Sequence, residues 1–308
     1  MSNLTQNNAE LLKFDGKPSW GAAFPQAMQH VLAMLIGNIT PPMLIAGTCG
    51  LSAEEKIMLT QAAMIIGGIT TLLQLFPVFG FGMKMPNVMG VAFAYMPILT
   101  IIGQQYGIAA IFGSQLVAGF VSIFVGMFIG KIRKFFPPIV SGTVVMSIGL
   151  SLYKTAISYI GGGSAAQANG TFGSGKFWFL AILTLIVTLA CNFFGKGLVK
   201  ASGMLIGIVV GYAASLLVGG VVSFADFEAA SWFALPRPFY FGMEFHLDAI
   251  VMMILMYMVQ AVQTIGDVSS TAIGGFGRQC TDQELGGAIK GQGICGMIGA
   301  CIGGLPTD

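Results

Sequence analysis

The chain has 308 residues, 55% hydrophobic and only 8% charged, with a formal net charge of +2. A soluble domain carries roughly a quarter charged residues, so lipid rather than water must cover most of this surface. The near-neutral balance, with basic residues scattered through loops, leaves no nucleic-acid signature.

The polar opening, MSNLTQNNAELLKFDGKPSW, reads as an N-terminal segment over residues 1–23 that leads straight into a first span. A crossing helix needs roughly 20 mostly apolar residues. Spans are expected at 24–46, 57–76, 90–103, 107–130, 136–154, 177–195, 201–222, 248–266 and 286–304. The third is short. It follows FPVFGFGMKMPNV, so the stretch 76–102 is apolar yet interrupted by Gly80, Gly82, Pro86, Gly90 and Pro97. Irregular backbone at membrane depth survives only where protein buries it or where it lines a cavity. Transporters put such segments at the substrate site, generally facing a second one from an inverted repeat. GVAFAY is expected to be extended, offering N–H and C=O groups to a ligand; a kinked helix or a re-entrant loop is the plainer alternative. No second broken segment is evident before the chain reaches GGLPTD.

Span seven carries Gly203, Gly207 and Gly211, and span nine Gly299 and Gly303, each at spacing four. Such rows make smooth faces for helix packing. Ten basic residues (Lys13, Lys17, Lys84, Lys131, Arg133, Lys134, Lys196, Lys200, Arg278, Lys290) fall on one side of these spans and four (Lys56, Lys154, Lys176, Arg237) on the other. The bias places the N-terminus in the cytoplasm. The five cysteines lack metal-ligand spacing and read as small buried hydrophobes. No metal, cofactor or catalytic residue is expected.

Ionisable residues inside spans are costly and by default functional. Two stand out: His30 in QAMQHVLAM and Asp267 in QTIGD. Amides surround them, Gln26, Gln29 and Asn38 in span one, Gln260 and Gln263 in span eight. Positions 260, 263 and 267 share one helix face, a polar stripe that must look into the protein. Carboxamides present a donor beside an acceptor and a carboxylate two acceptors. That suits a planar ligand with adjacent N–H and C=O groups, which paired hydrogen bonds in a dry site discriminate strongly. Helix-to-helix bonding by the amides and a satisfied core position for His30 are the plainer alternatives.

QHVLAMLIGNITPPMLIAG, GVAFAYMP, QTIGDVSSTAIGGFGR and GGLP, in that order, resemble the nucleobase–ascorbate transporter family, the nucleobase:cation symporters that include xanthine and uracil permeases. The resemblance implies an all-α polytopic membrane protein. Its fold is that of an inverted seven-span repeat transporter with core and gate domains, here about nine of 14 spans. Residues 24–225 would form the first repeat, 226–247 an extracytoplasmic loop and 248–308 the start of the second repeat. It implies uptake of a nucleobase (xanthine, uric acid or uracil-like) by proton symport in the cell membrane, and it favours a homodimer. By the same resemblance Gln263, Asp267, Gln29, His30, Phe93, Ala94 and Tyr95 would bind substrate, with Ala92 in the same run, and Asp267 and His30 would handle protons. Three departures are visible. Gln263 stands where the family typically has Glu, and Gln292 where it often has an acid. The family's next motif is not reached before Asp308. The expectation is therefore a C-terminally truncated chain lacking the partner of the broken span.

Two other function classes are weighed against this one. An anion transporter of similar architecture, for sulfate or bicarbonate, would want a basic residue or positive helix end in the cavity, and no Lys or Arg is expected mid-span. An intramembrane aspartyl protease needs two carboxylates sharing a proton. Asp248, the carboxylate on the same expected span as Asp267, is about five helical turns away.

Overall fold

A computed structural model describes residues 16, 19–133, 138–195, 199, 203–219 and 236–308. The described residues are mostly helical, with two isolated bridges in place of a sheet. In chain order they are α1 (Trp20–Thr48), α2 (Ala53–Leu75), a 3-10 turn (Phe93–Tyr95), α3 (Met96–Tyr106), α4 (Ile108–Met127) and α5 (Ile129–Ile132). Then come α6 (Pro138–Ser151), α7 (Tyr153–Ile160), α8 (Gly163–Ala168), α9 (Gly175–Phe194), α10 (Gly203–Val218), α11 (Leu247–Phe276) and α12 (Asp282–Ile302).

Among the described residues six stretches are long and apolar enough to cross a membrane: α2, α4, Gly142–Ile160 (most of α6 with α7), α9, α11 and α12. This is a multi-pass membrane protein. The expected nine spans exceed these six for local reasons. Helices α3 and α10 are short, at 11 and 16 residues. Helix α1 interrupts its apolar run with Gln26, Gln29, His30, Asn38 and a Pro pair. The expected boundary near residue 225 and part of the 226–247 loop fall outside the described residues.

Two boundaries move, with consequences. Helix α11 was expected to stop at 266 but runs 30 residues, until Gly277 takes a left-handed φ of 63°. The stripe therefore lies inside the helix, with more than two turns beyond it. Helix α12 begins at Asp282 rather than 286, because Thr281 and Glu284 form a capping box, each side chain accepting the other's backbone N–H. That places Lys290, counted above with the cytoplasmic loops, two turns inside the helix. It is half-buried, with its ammonium 5.8 Å from the Phe81 ring centre. The expectation of no basic residue within a span fails here. Its stem passes against Gly126, and its ammonium sits beside Gly80 and Phe81 of the broken segment.

The chain divides into two compact units that do not follow sequence order. The first contains Met34–Ile148 and Ala234–Asp308 together with Met1–Phe24; the second contains Pro25–Ala33 and Gly149–Phe233. The second unit packs α9 against α10. A Cβ at Gly207 would collide with Thr188 and one at Gly211 with Thr184, while one at Gly203 would stand 3.0 Å from Asn192 Nδ2. This is the smooth face read from the spacing.

In the first unit α4 crosses α12 at van der Waals limits. A Cβ on Gly119 would lie 2.8 Å from the Gly293 carbonyl oxygen, and one on Gly293 the same distance from that of Gly119. No side chain other than hydrogen fits both positions. The crossing is locked by Gln115, fully buried, whose Nε2 donates to the carbonyls of Gly296 at 2.8 Å and Gly304 at 3.0 Å. Gly303, expected on a packing face, instead ends α12 with φ 83°. Around the crossing one apolar cluster gathers Ile45, Leu59, Leu99, Phe112 and Met253, and a second gathers Met83, Met89, Ile265 and Ile289.

Candidate functional site

The broken segment between α2 and the 3-10 turn satisfies its backbone from neighbouring helices. Gly82 N–H donates to Gly287 O at 2.8 Å, Lys84 N–H to Gln74 O at 2.8 Å, and Met89 N–H to Thr71 Oγ1 at 2.9 Å. Val91 N–H donates to Asn38 Oδ1 at 2.7 Å. A non-helical run at this depth needs such partners, since each buried amide left unpaired costs about 1–3 kcal/mol.

The expected extended stretch GVAFAY is extended only over 90–92. Pro97, in the first turn of α3, and the 3-10 turn at Phe93–Tyr95 convert the rest into a helix start. Nor are its N–H groups free. Gly90 N–H donates to Asp308 O and Asp308 N–H to Gly90 O, both at 3.0 Å, and Ala92 N–H donates to Pro306 O at 2.9 Å. Val91 faces Thr307 in an antiparallel bridge. Residues 306–308 thus pair with the extended trio. Gly303 turns the chain out of α12 and Pro306, lacking an N–H, favours extension, so three residues suffice to make the ladder.

Alternation along an extended chain sends neighbouring side chains to opposite faces. Thr307 turns to α2, where its hydroxyl meets Thr70 Oγ1 at 3.0 Å. Asp308 turns to α11. There its Oδ2 accepts the Nε2 groups of Gln260 and Gln263, each at 3.1 Å. The polar stripe thus finds a carboxylate, and the Oε1 atoms of both glutamines are buried with no protein partner. Gln260 itself is 2% exposed. The elements that carry the cluster belong to the first unit, so its geometry is internal to one compact body.

The remaining expected site residues are dispersed. Asp267, one turn past Gln263, is exposed in this chain but electrostatically coupled to Asp308. Ala94 is buried and Phe93 half-buried, packed on the apolar core. Tyr95, 1% exposed, places its ring edge-on to Tyr257 with centroids 5.0 Å apart. His30 and Gln29 sit in α1 within the second unit, His30 exposed; the Gln29 side chain lies outside the described residues. Gln292, at the position expected of an acid, is 5% exposed and accepts the Thr264 hydroxyl at 2.9 Å. Thr264 also donates to Gln260 O, so it braces the stripe against α12.

Asp308 was not among the residues expected from sequence. An acid two residues after a proline, following GGL, reads as a loop residue until its pairing with 90–92 is known. Asn38 was noted as an intramembrane amide, though not as the anchor of the broken segment.

The profile of the Permease family (Xan_ur_permease) matches residues 21–308. Similar proteins include uric acid permease PucJ of Bacillus subtilis (strain 168), 35% identical over 289 residues, which are 92% of this chain and 64% of that protein. Nucleobase transporter PlUacP of Paenibacillus larvae is 34% identical over 281 residues, 90% of this chain and 63% of that one. Xanthine permease XanQ of Escherichia coli (strain K12) is 28% identical over 323 residues, 99% and 68%. The chain thus spans less than two thirds of the length of the first two. Among solved structures, the transmembrane domain of the cyanobacterial bicarbonate transporter BicA superposes with a TM-score of 0.59 at 18% identity, covering 91% of this chain and 72% of that one; that likeness concerns the fold. By the extent of the profile match, which spans nearly the whole of it, the chain belongs to the Permease family.

Proposed function

We propose that this chain carries the base-binding core of a nucleobase permease, taking up a uric acid- or xanthine-like base by proton symport. The observation that carries the reading is the pair of unpartnered, buried Gln260 and Gln263 carbonyl oxygens beside the Asp308 carboxylate. A planar ligand bearing N–H groups satisfies those acceptors, and the names of the similar permeases point to such ligands. On this reading the first unit is the core and the second unit supplies gate helices of the inverted repeat. The protein would sit in the cell membrane with a cytoplasmic N-terminus and associate as a homodimer.

The test is uptake of radiolabelled uric acid and xanthine by cells expressing the full-length gene, with and without a protonophore, beside Gln263→Ala and Asp267→Ala. Unchanged uptake in both variants removes the site assignment. Uptake of bicarbonate or sulfate without any base uptake replaces the reading by the anion-transporter alternative.

A further inference from the structure

We propose that Asp308 is the proton-responsive group of the site, and that rotation of the Gln260 and Gln263 amides passes its protonation state to the bound ligand. The inference rests on the base-permease reading above, and it assigns coupling to a residue distinct from Asp267 and His30.

An ionised carboxylate only accepts hydrogen bonds. Facing Asp308 Oδ2, both glutamines must therefore show N–H, as they do at 3.1 Å each. Their oxygens are then turned away from it, buried and without protein partners. No Lys, Arg or His forms an ion pair with Asp308 among the described residues. Charge in this position is held by two neutral dipoles rather than by a cation. A proton is thus the ready means of neutralising it.

Protonation changes what Asp308 asks of its neighbours. The carboxylic acid has one O–H to donate, and the acceptors within reach are those same amides. A half-turn about the terminal torsion of one glutamine brings its Oε1 to the acid; the two ends of a carboxamide are nearly alike in size, so the main chain need not move. That turn puts an NH2 where an oxygen had been. The ligand then meets one acceptor and one donor in place of two acceptors. A lactam edge, N–H beside C=O, matches the protonated arrangement, and an edge with two N–H groups matches the ionised one. Binding of a lactam and binding of a proton therefore strengthen each other, by reciprocity of linked equilibria.

The surroundings leave few competitors for the proton. Gly90, Val91 and Ala92, paired with 306–308, carry nothing titratable. Asp267 on α11 and Tyr95 on the broken segment are the groups electrostatically coupled to Asp308; Tyr257 on α11 and Cys295 on α12 complete the titratable set around them. Asp267 is exposed and shares the Gln263 side chain, whereas the amides of Gln260 and Gln263 converge together on Asp308.

The experiment uses full-length protein in proteoliposomes and xanthine as the probe, comparing wild type with Asp308→Asn, Asp308→Glu and Asp267→Asn. For wild type and Asp308→Glu, xanthine affinity falls about tenfold per pH unit once the acid ionises, and one proton is taken up with each xanthine. Asp308→Asn is expected to bind xanthine with no pH dependence and no proton uptake. It should lose accumulation driven by a pH gradient at least tenfold. Asp267→Asn keeps the pH dependence, whatever its affinity. A pH-dependent Asp308→Asn, or a pH-independent Asp267→Asn, overturns the inference. Acid-minus-alkaline infrared difference spectra of ligand-free wild type and Asp267→Asn supply a readout that needs neither transport nor a stable Asp308→Asn. With aspartate carbons isotopically labelled, a labelled carboxylic C=O band must persist in Asp267→Asn, and its loss overturns the inference. If that band persists while wild type binds no base, the base-permease reading fails and the assignment of the proton stands.

Discussion

Asn38 and Val91 are joined by a 2.7 Å hydrogen bond from the Val91 amide to Oδ1. The same oxygen lies so near Gly90 that a Cβ there would come within 2.8 Å of it. One residue of α1 thus holds the extended trio that pairs with 306–308. Replacing it by Ala leaves a buried N–H unpaired, at a cost of about 1–3 kcal/mol. Asn38→Ala should lower the melting temperature in detergent by several degrees, while Asn38→Asp, which keeps the acceptor, should lose less. Equal melting of wild type and Asn38→Ala would show that the bond contributes nothing.

The two stripe glutamines should differ from the acid that follows them. Gln263→Leu and Gln260→Leu each remove a buried acceptor from the ligand and a donor from Asp308. Base affinity is expected to fall by tenfold or more, since a site built to hydrogen-bond is sharply selective. Asp267→Ala, altering an exposed side chain, should cost less than either. Equilibrium binding of xanthine to the purified variants ranks them, and an Asp267→Ala loss exceeding both Leu variants would invert the assignment.

The α4–α12 crossing makes a prediction about packing alone. Gly119→Ala puts a methyl 2.8 Å from a carbonyl oxygen of Gly293 that has no room to retreat. Overpacking of this kind costs about 1–3 kcal/mol. Melting should drop markedly for Gly119→Ala and for Gly293→Ala, yet scarcely for Gly274→Ala, where a Cβ meets nothing within 4 Å. Equal melting of all three would deny the close crossing.

At the start of α12, Arg278 donates Nη1 to Glu284 at 2.9 Å while Thr281 and Glu284 cap the helix. Thr281→Ala should cost about 1 kcal/mol through the lost cap. Arg278→Ala should cost less, because its side chain stays partly solvated and such a pair contributes only about 0–1 kcal/mol. Thermal melts of the two variants settle the order; a larger loss for Arg278→Ala would count against the capping argument.

What could be read without coordinates were features local to one helix. The stripe at 260, 263 and 267 declared itself because amides and an acid at helical spacing interrupt an apolar run. Gly203, Gly207 and Gly211 announced a contact face, and the Gly and Pro residues of 76–102 announced broken helix. What stayed hidden depended on distant partners or weak terminators. SSTAIGGF is polar enough to suggest a stop, yet α11 continues because no proline or left-handed residue occurs before Gly277. The importance of Asp308 arises only when 306–308 find 90–92. The edge-on contact of Tyr95 with Tyr257 likewise joins two helices distant in sequence and is not written in either segment alone.

The hydrogen bond between Thr70 and Thr307 joins positions 237 apart, and this separation bears on biosynthesis. Helix α2 and the broken segment leave the ribosome long before residues 306–308 exist. Until those residues arrive, the Gly90 and Ala92 amides lack the carbonyls that they finally use, and the stripe glutamines lack their carboxylate. Contacts of such long range form late and slowly. The polar stripe and the open amides of 90–92 are therefore unpaired for most of synthesis, and the pairing of 306–308 with 90–92 is the latch that ends that vulnerable interval.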